Sequence, residues 1–293
     1  MNEPDRNSME AEAPLAVICG GGSLPFAVAD AVSRRGRRAI LFPIRGWADA
    51  EAVRCYPHRW IALGQFGRAV RFMQEEGCRE IVFIGRVVRP ALRELRFDWE
   101  TLRLLPRIIR AFRGGDDHLL SHVAAYFEGQ GFKLVGAHEL APEILLAKGS
   151  LGTRAPSSRD LDDIGRGLSV LQALSPFDIG QAVVVANNHV LAMEAAEGTD
   201  EMLARVAEQR RLGRIRSALG VGVLVKAPKA GQDHRFDLPS IGPQTVERAA
   251  RAGLAGIAVV AGAAIVAEAA RVVQLADREK LFVVGVDGGG TQP

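Results

Sequence analysis

The segment from Lys226 to Gly242 places Lys226, Lys229 and Arg235 close to Gln232, Asp233, His234 and Asp237, in a loop broken by Pro228, Gly231 and Pro239. Apolar sequence flanks it on both sides, and a polar loop carried by such elements is where a rigid scaffold aims functional side chains. Lysines neutralise phosphate oxygens as point charges, and an arginine fork grips them in pairs. A nearby aspartate, Asp237, binds a metal or orients a water. Together these groups suit a phosphate ester attacked by water. A second cluster, Glu194, Glu197 and Asp200, lies on a strand end and the loop into a helix. Glu194 is expected to share a strand face with Val190 and Ala192. Three acids at this spacing supply oxygen ligands of the kind Mg²⁺ takes. Gly198 and Thr199 between them also make a good helix start.

Two further segments carry weaker signals. Gly20-Gly21-Gly22 follows a strand and opens a helix, so its backbone N–H groups can approach an anion. The dinucleotide fingerprint needs a glycine where Pro25 stands, and the second strand leads to Arg45 rather than an acidic ribose reader. A phosphate or nucleotide contact is therefore the better reading, with a tight structural turn as its rival. Gly85 closes the strand Glu80–Gly85 and joins this candidate binding set. Asp116 and Asp117, after Gly115, serve equally as first-turn acids of a helix or as part of a polar cluster in a cleft. The six histidines show no metal-binding spacing, and no GxSxG, Walker A or kinase signature occurs.

These groups need a scaffold, and the pattern predicts an α/β one. Strands are expected at Leu15–Cys19, Ala39–Pro43, Glu80–Gly85 and Phe132–Gly136. Helices are expected at Leu24–Arg35, Phe66–Glu76, Trp99–Phe112 and His118–Glu128. This alternation means a mostly parallel, Rossmann-like sheet over residues 15–150. The polar stretch 151–163, with Gly152, Pro156, Ser157 and Ser158, is expected to link it to a mixed α/β catalytic domain over 164–293. There, Asn187-Asn188 between Ala182–Ala186 and His189–Ala195 signals a hairpin. A helix over Glu201–Gln209 follows, and a strand at Val221–Lys226 delivers the polar loop. Helices at Val246–Ala252 and Ala267–Leu275 alternate with strands at Gly256–Val260 and Leu281–Val286. Residues 1–14 are expected to be a disordered extension.

The 293 residues are 48% hydrophobic and 24% charged, with 37 basic against 34 acidic side chains. That balance gives no nucleic-acid signature. Three cysteines without a CxxC pair argue against a disulfide framework, and Cys19 and Cys78 are expected to be small buried hydrophobes. No signal peptide or membrane span is expected, so the chain is placed in the cytoplasm.

Several short motifs occur together in this order: Gly20–Pro25, Gly64–Gly67, Gly115–Asp117, Gly136–Glu139, Asp178–Gln181, Glu194–Asp200, Lys226–Lys229, Asp237–Gly242 and Arg251–Gly256. In them the chain resembles the UDP-2,3-diacylglucosamine pyrophosphatases of the LpxI type, over nearly its whole length. The resemblance implies Mg²⁺-dependent hydrolysis of that lipid nucleotide to UMP and 2,3-diacylglucosamine 1-phosphate, with water attacking the α-phosphorus. It implies a step of lipid A synthesis at the cytoplasmic face of the inner membrane, with peripheral membrane contact and a homodimer. It also implies two domains with the ligand in the cleft between them. The family's catalytic aspartate falls on Asp237. Lys226, Lys229 and Arg235 then form the phosphate cradle. Glu197 and Asp200 join Asp237 as metal ligands, and Gly20–Gly22, Gly85, Asp116, Asp117, Glu194, Gly198, Thr199 and Gln232 contact substrate. Two other classes compete: a non-hydrolytic nucleotide-binding or oxidoreductase protein built on the glycine turn, and a carrier of lipid-sugar phosphates.

Overall fold

A computed structural model describes residues 12–87, 98–103, 116–229, 233–235 and 238–288, with the side chains of 116–119 left outside. The chain divides into two compact units, Met1–Ala141 and Pro142–Pro293. Both are α/β, and each is built on its own sheet.

The first sheet runs in the order β2 (Ala39–Pro43), β1 (Leu15–Cys19), β3 (Glu80–Ile84), β4 (Lys133–Leu134), with every pairing parallel. β1 and β2 are buried along their whole length, as strands covered on both faces must be. Helix α1 (Leu24–Arg34) starts with Pro25 in its first turn, where a missing N–H costs nothing. Asp49 caps the short α2 (Ala50–Val53) by accepting from the N–H groups of Glu51 and Ala52. Helix α3 (Phe66–Glu75) packs Ala69, Val70 and Met73 inward, and α4 (Asp116–Gly129) leads to β4. Residues 99–103 are helical, and the rest of the helix expected up to Phe112 lies outside the described residues. A short α5 (Ala137–Leu140) ends the unit. Cys19 and Cys78 are buried as expected, and burial pushes the Cys19 thiol up to about 12.

The second sheet has six strands in the order β5 (Gly149–Ser150), β12 (Phe282–Val286), β10 (Gly256–Val260), β8 (Val223–Lys226), β6 (Ala182–Ala186), β7 (His189–Met193). β8, β10 and β12 are parallel, while β5, β6 and β7 run antiparallel to their neighbours. Alternate residues feed two cores. Val184, Leu224, Ile257, Val259 and Val283 pack against α7 (Gly198–Arg211), α8 (Pro243–Arg251) and α9 (Ala269–Arg278). Val183, Val185, Val225, Ala258 and Val284 pack against α6 (Ser158–Leu174) through Ile164 and Leu171. A small pair, β9 (Ser240–Ile241) with β11 (Ile265–Val266), completes the strands.

Two details depart from the sequence expectations. The second half of the expected linker, from Ser158 on, is the first turn of α6, capped by Ser157 and Asp160 in a reciprocal box. Between β6 and β7 the register slips after Val184, so Val184 faces Ala192 and Val185 faces Val190. The extra residue, Leu191, breaks the alternation, leaving Val190 exposed and Ala192 buried. Glu194, Ala192 and Val190 therefore do not share one regular face. The hairpin turn itself is as expected, with positive φ at Asn187 and Asn188. The buried Asp163 of α6 accepts from both their backbone N–H groups, at 3.1 and 2.6 Å.

Candidate active site

The antiparallel register of the second sheet brings four chain segments to one edge. Lys226, the last residue of β8, stands beside Ala182, the first of β6. β7 runs back to the same edge, and Glu194 follows its last residue. Helix α7 begins four residues later. This is the carboxyl edge of the parallel strands, where open α/β sheets present their ligands.

The side chains there hold one another. The backbone N–H of Gln181 donates to Glu194 Oε2 at 3.0 Å, and the Thr199 hydroxyl donates to Glu194 Oε1 at 2.9 Å. Lys226 Nζ donates to Thr199 Oγ1 and to the carbonyl of Ser240, each at 3.0 Å. Lys226 is only 7% exposed, so these partners offset the cost of burying its charge. Gly180 is required here. Its φ is +52°, and a Cβ would meet the Glu194 carbonyl oxygen at 2.2 Å. Ala227 N–H closes the edge by donating to the Gln181 carbonyl at 3.1 Å. Lys229 pairs with Asp178, so both lysines of the Lys226–Lys229 segment stand beside the Asp178–Gln181 segment. A pair of ammonium groups on one edge can neutralise the oxygens of a phosphate or pyrophosphate.

Other expected site residues are engaged differently. Arg235 lays its fork on Asp233, with Nε and Nη2 at 3.0 and 2.7 Å, and this pairing holds the Asp233 carboxyl below its usual range. Glu197 meets Arg205 at 2.6 Å, and Asp200 meets Arg248 at 3.5 Å. Among the described residues no three His, Cys, Asp or Glu side chains gather into a metal site. Glu197 and Asp200 each have a guanidinium partner, and Asp237, expected with them as a metal ligand, lies outside the described residues. Asp237 and Gln232 lie outside the described residues, and Asp116 and Asp117 stand at the start of α4 with side chains outside them.

The glycines of the first sheet are held by backbone. Gly20 N–H donates to the Ile84 carbonyl at 2.9 Å, and Gly21 exchanges two hydrogen bonds of 2.8 Å with Arg86. A Cβ on Gly20 would lie 2.6 Å from the Arg86 carbonyl oxygen. The turns after β1 and β3 are therefore pressed together, which explains Gly20 and Gly85 by close approach. Two N–H groups of the glycine turn are used internally. The turn still lies where the strand order reverses, between β1 and β3, the usual crevice of such a sheet.

Asp178, Gln181 and Ser240 are the site residues that residue-type reasoning passed over. For the first two the signal was position: Asp178-Ile179-Gly180-Gln181 directly precedes β6, whose hairpin partner β7 ends at Met193, just before Glu194.

Comparison with known proteins finds relatives for both units of the chain. Residues 14–144 match the LpxI N-terminal domain, and residues 147–284 match the LpxI C-terminal domain. The chain is 43% identical over 273 residues to the UDP-2,3-diacylglucosamine pyrophosphatase LpxI of Caulobacter vibrioides, covering 93% of this chain and 97% of the relative. With both domains matched in order and a relative this similar along most of its length, the chain belongs to the LpxI family.

Proposed function

We propose that the chain hydrolyses the pyrophosphate of UDP-2,3-diacylglucosamine to UMP and 2,3-diacylglucosamine 1-phosphate, a step of lipid A synthesis. Beside the family membership, one observation carries the reading. Lys226 is buried and fixed by Thr199 and Ser240 at a strand edge, with Lys229 three residues on. Buried, oriented cations of this kind stabilise charge that spreads over phosphoryl oxygens in the transition state.

In the reaction a water oxygen bonds to one phosphorus of the anhydride. The bond from that phosphorus to the bridging oxygen breaks, the departing phosphate keeps that oxygen, and a proton is released. Lys226 and Lys229 bind the phosphate oxygens and hold the anhydride in line for attack. Asp237 is assigned to the water or the metal. Asp237 would hold Mg²⁺ together with the substrate's own oxygens, since Mg²⁺ commonly takes one or two carboxylates plus phosphate and water. When bound it would neutralise phosphate charge. The two acyl chains of the substrate place the enzyme in peripheral contact with the cytoplasmic face of the inner membrane, and we propose that it acts as a homodimer.

The test is UMP release from UDP-2,3-diacylglucosamine by the purified protein. Turnover should vanish with EDTA, return with Mg²⁺, and be lost in a folded Asp237→Ala variant. An inactive wild type would sink the reading, and full activity in Asp237→Ala would overturn the role given to Asp237. Reaction in ¹⁸O-labelled water reports the phosphorus attacked. Label in UMP means the α-phosphorus, as the resemblance implies, and label in the sugar 1-phosphate overturns that detail.

A further inference from the structure

We propose that Glu194 and Thr199 are positioning residues for Lys226, rather than contacts to substrate. This deepens the hydrolase reading and rests on it for the identity of the reaction. The chain of hydrogen bonds runs Glu194, Thr199, Lys226, and its direction is fixed by chemistry. An ammonium only donates and a carboxylate only accepts. The Thr199 hydroxyl must therefore accept from Lys226 Nζ and give its single proton to Glu194 Oε1.

The far end of the relay is anchored twice. Glu194 Oε2 accepts the backbone N–H of Gln181 at 3.0 Å. Gly180 lies so close to the Glu194 carbonyl that no side chain fits between them. The carboxylate is thus fixed to the start of β6 and the hydroxyl to the start of α7. The second acceptor of Lys226 is the Ser240 carbonyl, at 3.0 Å. Ser240 opens β9 and lies three residues beyond Asp237. Lys226 is therefore pinned between the acid–hydroxyl pair and the end of the loop that carries Asp237. A lysine stem has four rotatable carbons, and fixing it in advance removes the ordering cost at the moment of reaction. A supporting set of bonds that locks a reactive group's rotamer is what sites need to hold their geometry.

The same contacts explain why Glu194 and Thr199, which look like metal or substrate ligands in sequence, serve a different purpose. Both oxygens of Glu194 have protein donors. Its negative charge reaches Lys226 through one hydroxyl, which is close enough to hold the ammonium without competing with phosphate for it.

A double-mutant cycle tests the relay. Thr199→Val keeps the shape and removes the hydroxyl. In the wild-type background it should lower kcat about tenfold with KM within about twofold, since the fixed cation matters most in the transition state. Thr199→Ser, which restores the hydroxyl, should stay within about threefold of wild type. Glu194→Gln should behave like Thr199→Val, because its amide places an N–H donor against the donor of Gln181 or Thr199. In a Lys226→Met background, Thr199→Val should cost less than about twofold, because residues acting through one group are not additive. A tenfold loss in both backgrounds, or a Thr199→Ser variant as slow as Thr199→Val, overturns the proposal. The same cycle read as melting temperatures separates the two levels of claim. Non-additive shifts with an inactive wild type leave the relay standing and sink the hydrolase reading. Additive shifts in an active enzyme sink the relay alone.

Discussion

At the carboxyl edge of the first sheet, Gly20, Gly21, Gly85 and Arg86 satisfy one another through backbone atoms. At the same edge of the second sheet, Glu194, Thr199, Lys226, Lys229 and Asp178 satisfy one another through side chains. The two regions look alike in sequence, each a polar or glycine-rich segment after an apolar strand. They differ in what a substitution removes. In the first, a side chain added at Gly20 or Gly85 damages packing before it touches chemistry. In the second, a side chain removed takes away a charge aimed at the edge while the strands beneath keep their cores. Glycine clusters therefore report how closely backbones approach, and mixed-charge clusters report where charge is being held.

The sharpest way to break this contrast is Lys226→Met. It should lower kcat/KM by about 10²- to 10³-fold, as loss of an oriented charge does, while the melting temperature stays near wild type. Steady-state UMP release and a thermal melt on one sample check both halves. If the fold collapses instead, the second edge is as structural as the first.

Gly180→Ala comes next. A positive φ and a 2.2 Å approach to the Glu194 carbonyl oxygen should cost about 3–4 kcal/mol, read by urea denaturation. Activity should fall with it, since Gly180 sets the strand start that anchors Glu194.

Gly20→Ala should cost about 2–3 kcal/mol, because its Cβ meets backbone that cannot rotate away. The folded fraction should retain more turnover than Lys226→Met. Greater loss of turnover than of stability would move the glycine turn into the binding machinery.

The smallest effect is electrostatic and confined to the first unit. Glu80 accepts from Arg37 at 2.7 Å and from Lys133 at 2.9 Å. Burial alone would raise its pKa, but the hydrogen bonds and charges of Lys133 and Arg37 outweigh it and hold the carboxyl below its usual range. The folded state then binds fewer protons at this group than the unfolded state does. Its contribution to stability is complete above the unfolded value of about 4.3 and disappears as pH falls through the lowered folded one. Glu80→Gln should flatten the acid side of a melting-temperature profile and leave turnover at neutral pH unchanged. An unaltered acid limb would show that the pair is solvated away.

Much of the scaffold was legible because buried strands announce themselves. Leu15–Cys19, Ala39–Pro43, Ala182–Ala186 and Gly256–Val260 are apolar runs bounded by turn residues, and they form at those limits. Helix α6 was hidden. Its buried face is Asp163, Ile164, Gly167 and Leu171, with an acid and a glycine among two aliphatic residues, and its polar first turn has the composition of a linker. The two-residue strands β9 and β11 carry no periodicity to read. At the site, the residue types of Lys226, Lys229, Glu194 and Thr199 pointed to phosphate chemistry, but their partners did not follow. Lys229 meets Asp178 and Lys226 meets Thr199 only because the hairpin register and strand pairing bring distant segments together. Glu197, Asp200 and Arg235 show the converse, since an acid or a guanidinium in sequence does not reveal that a neighbour already holds it.

The hairpin from Ala182 to Met193 has a consequence for how the molecule assembles. Asp178, Gly180, Gln181, Glu194 and Thr199 fall within about two dozen residues joined by one two-residue turn, which Asp163 clasps from α6. Closing so short a loop costs little chain entropy, whereas pairing β8, β10 and β12 requires long crossovers. The half of the site that orients the lysine is thus set up by local contacts. Lys226 and Ser240 come from beyond α7 and join it through contacts of longer sequence separation, Lys226 by the antiparallel pairing of β8 with β6.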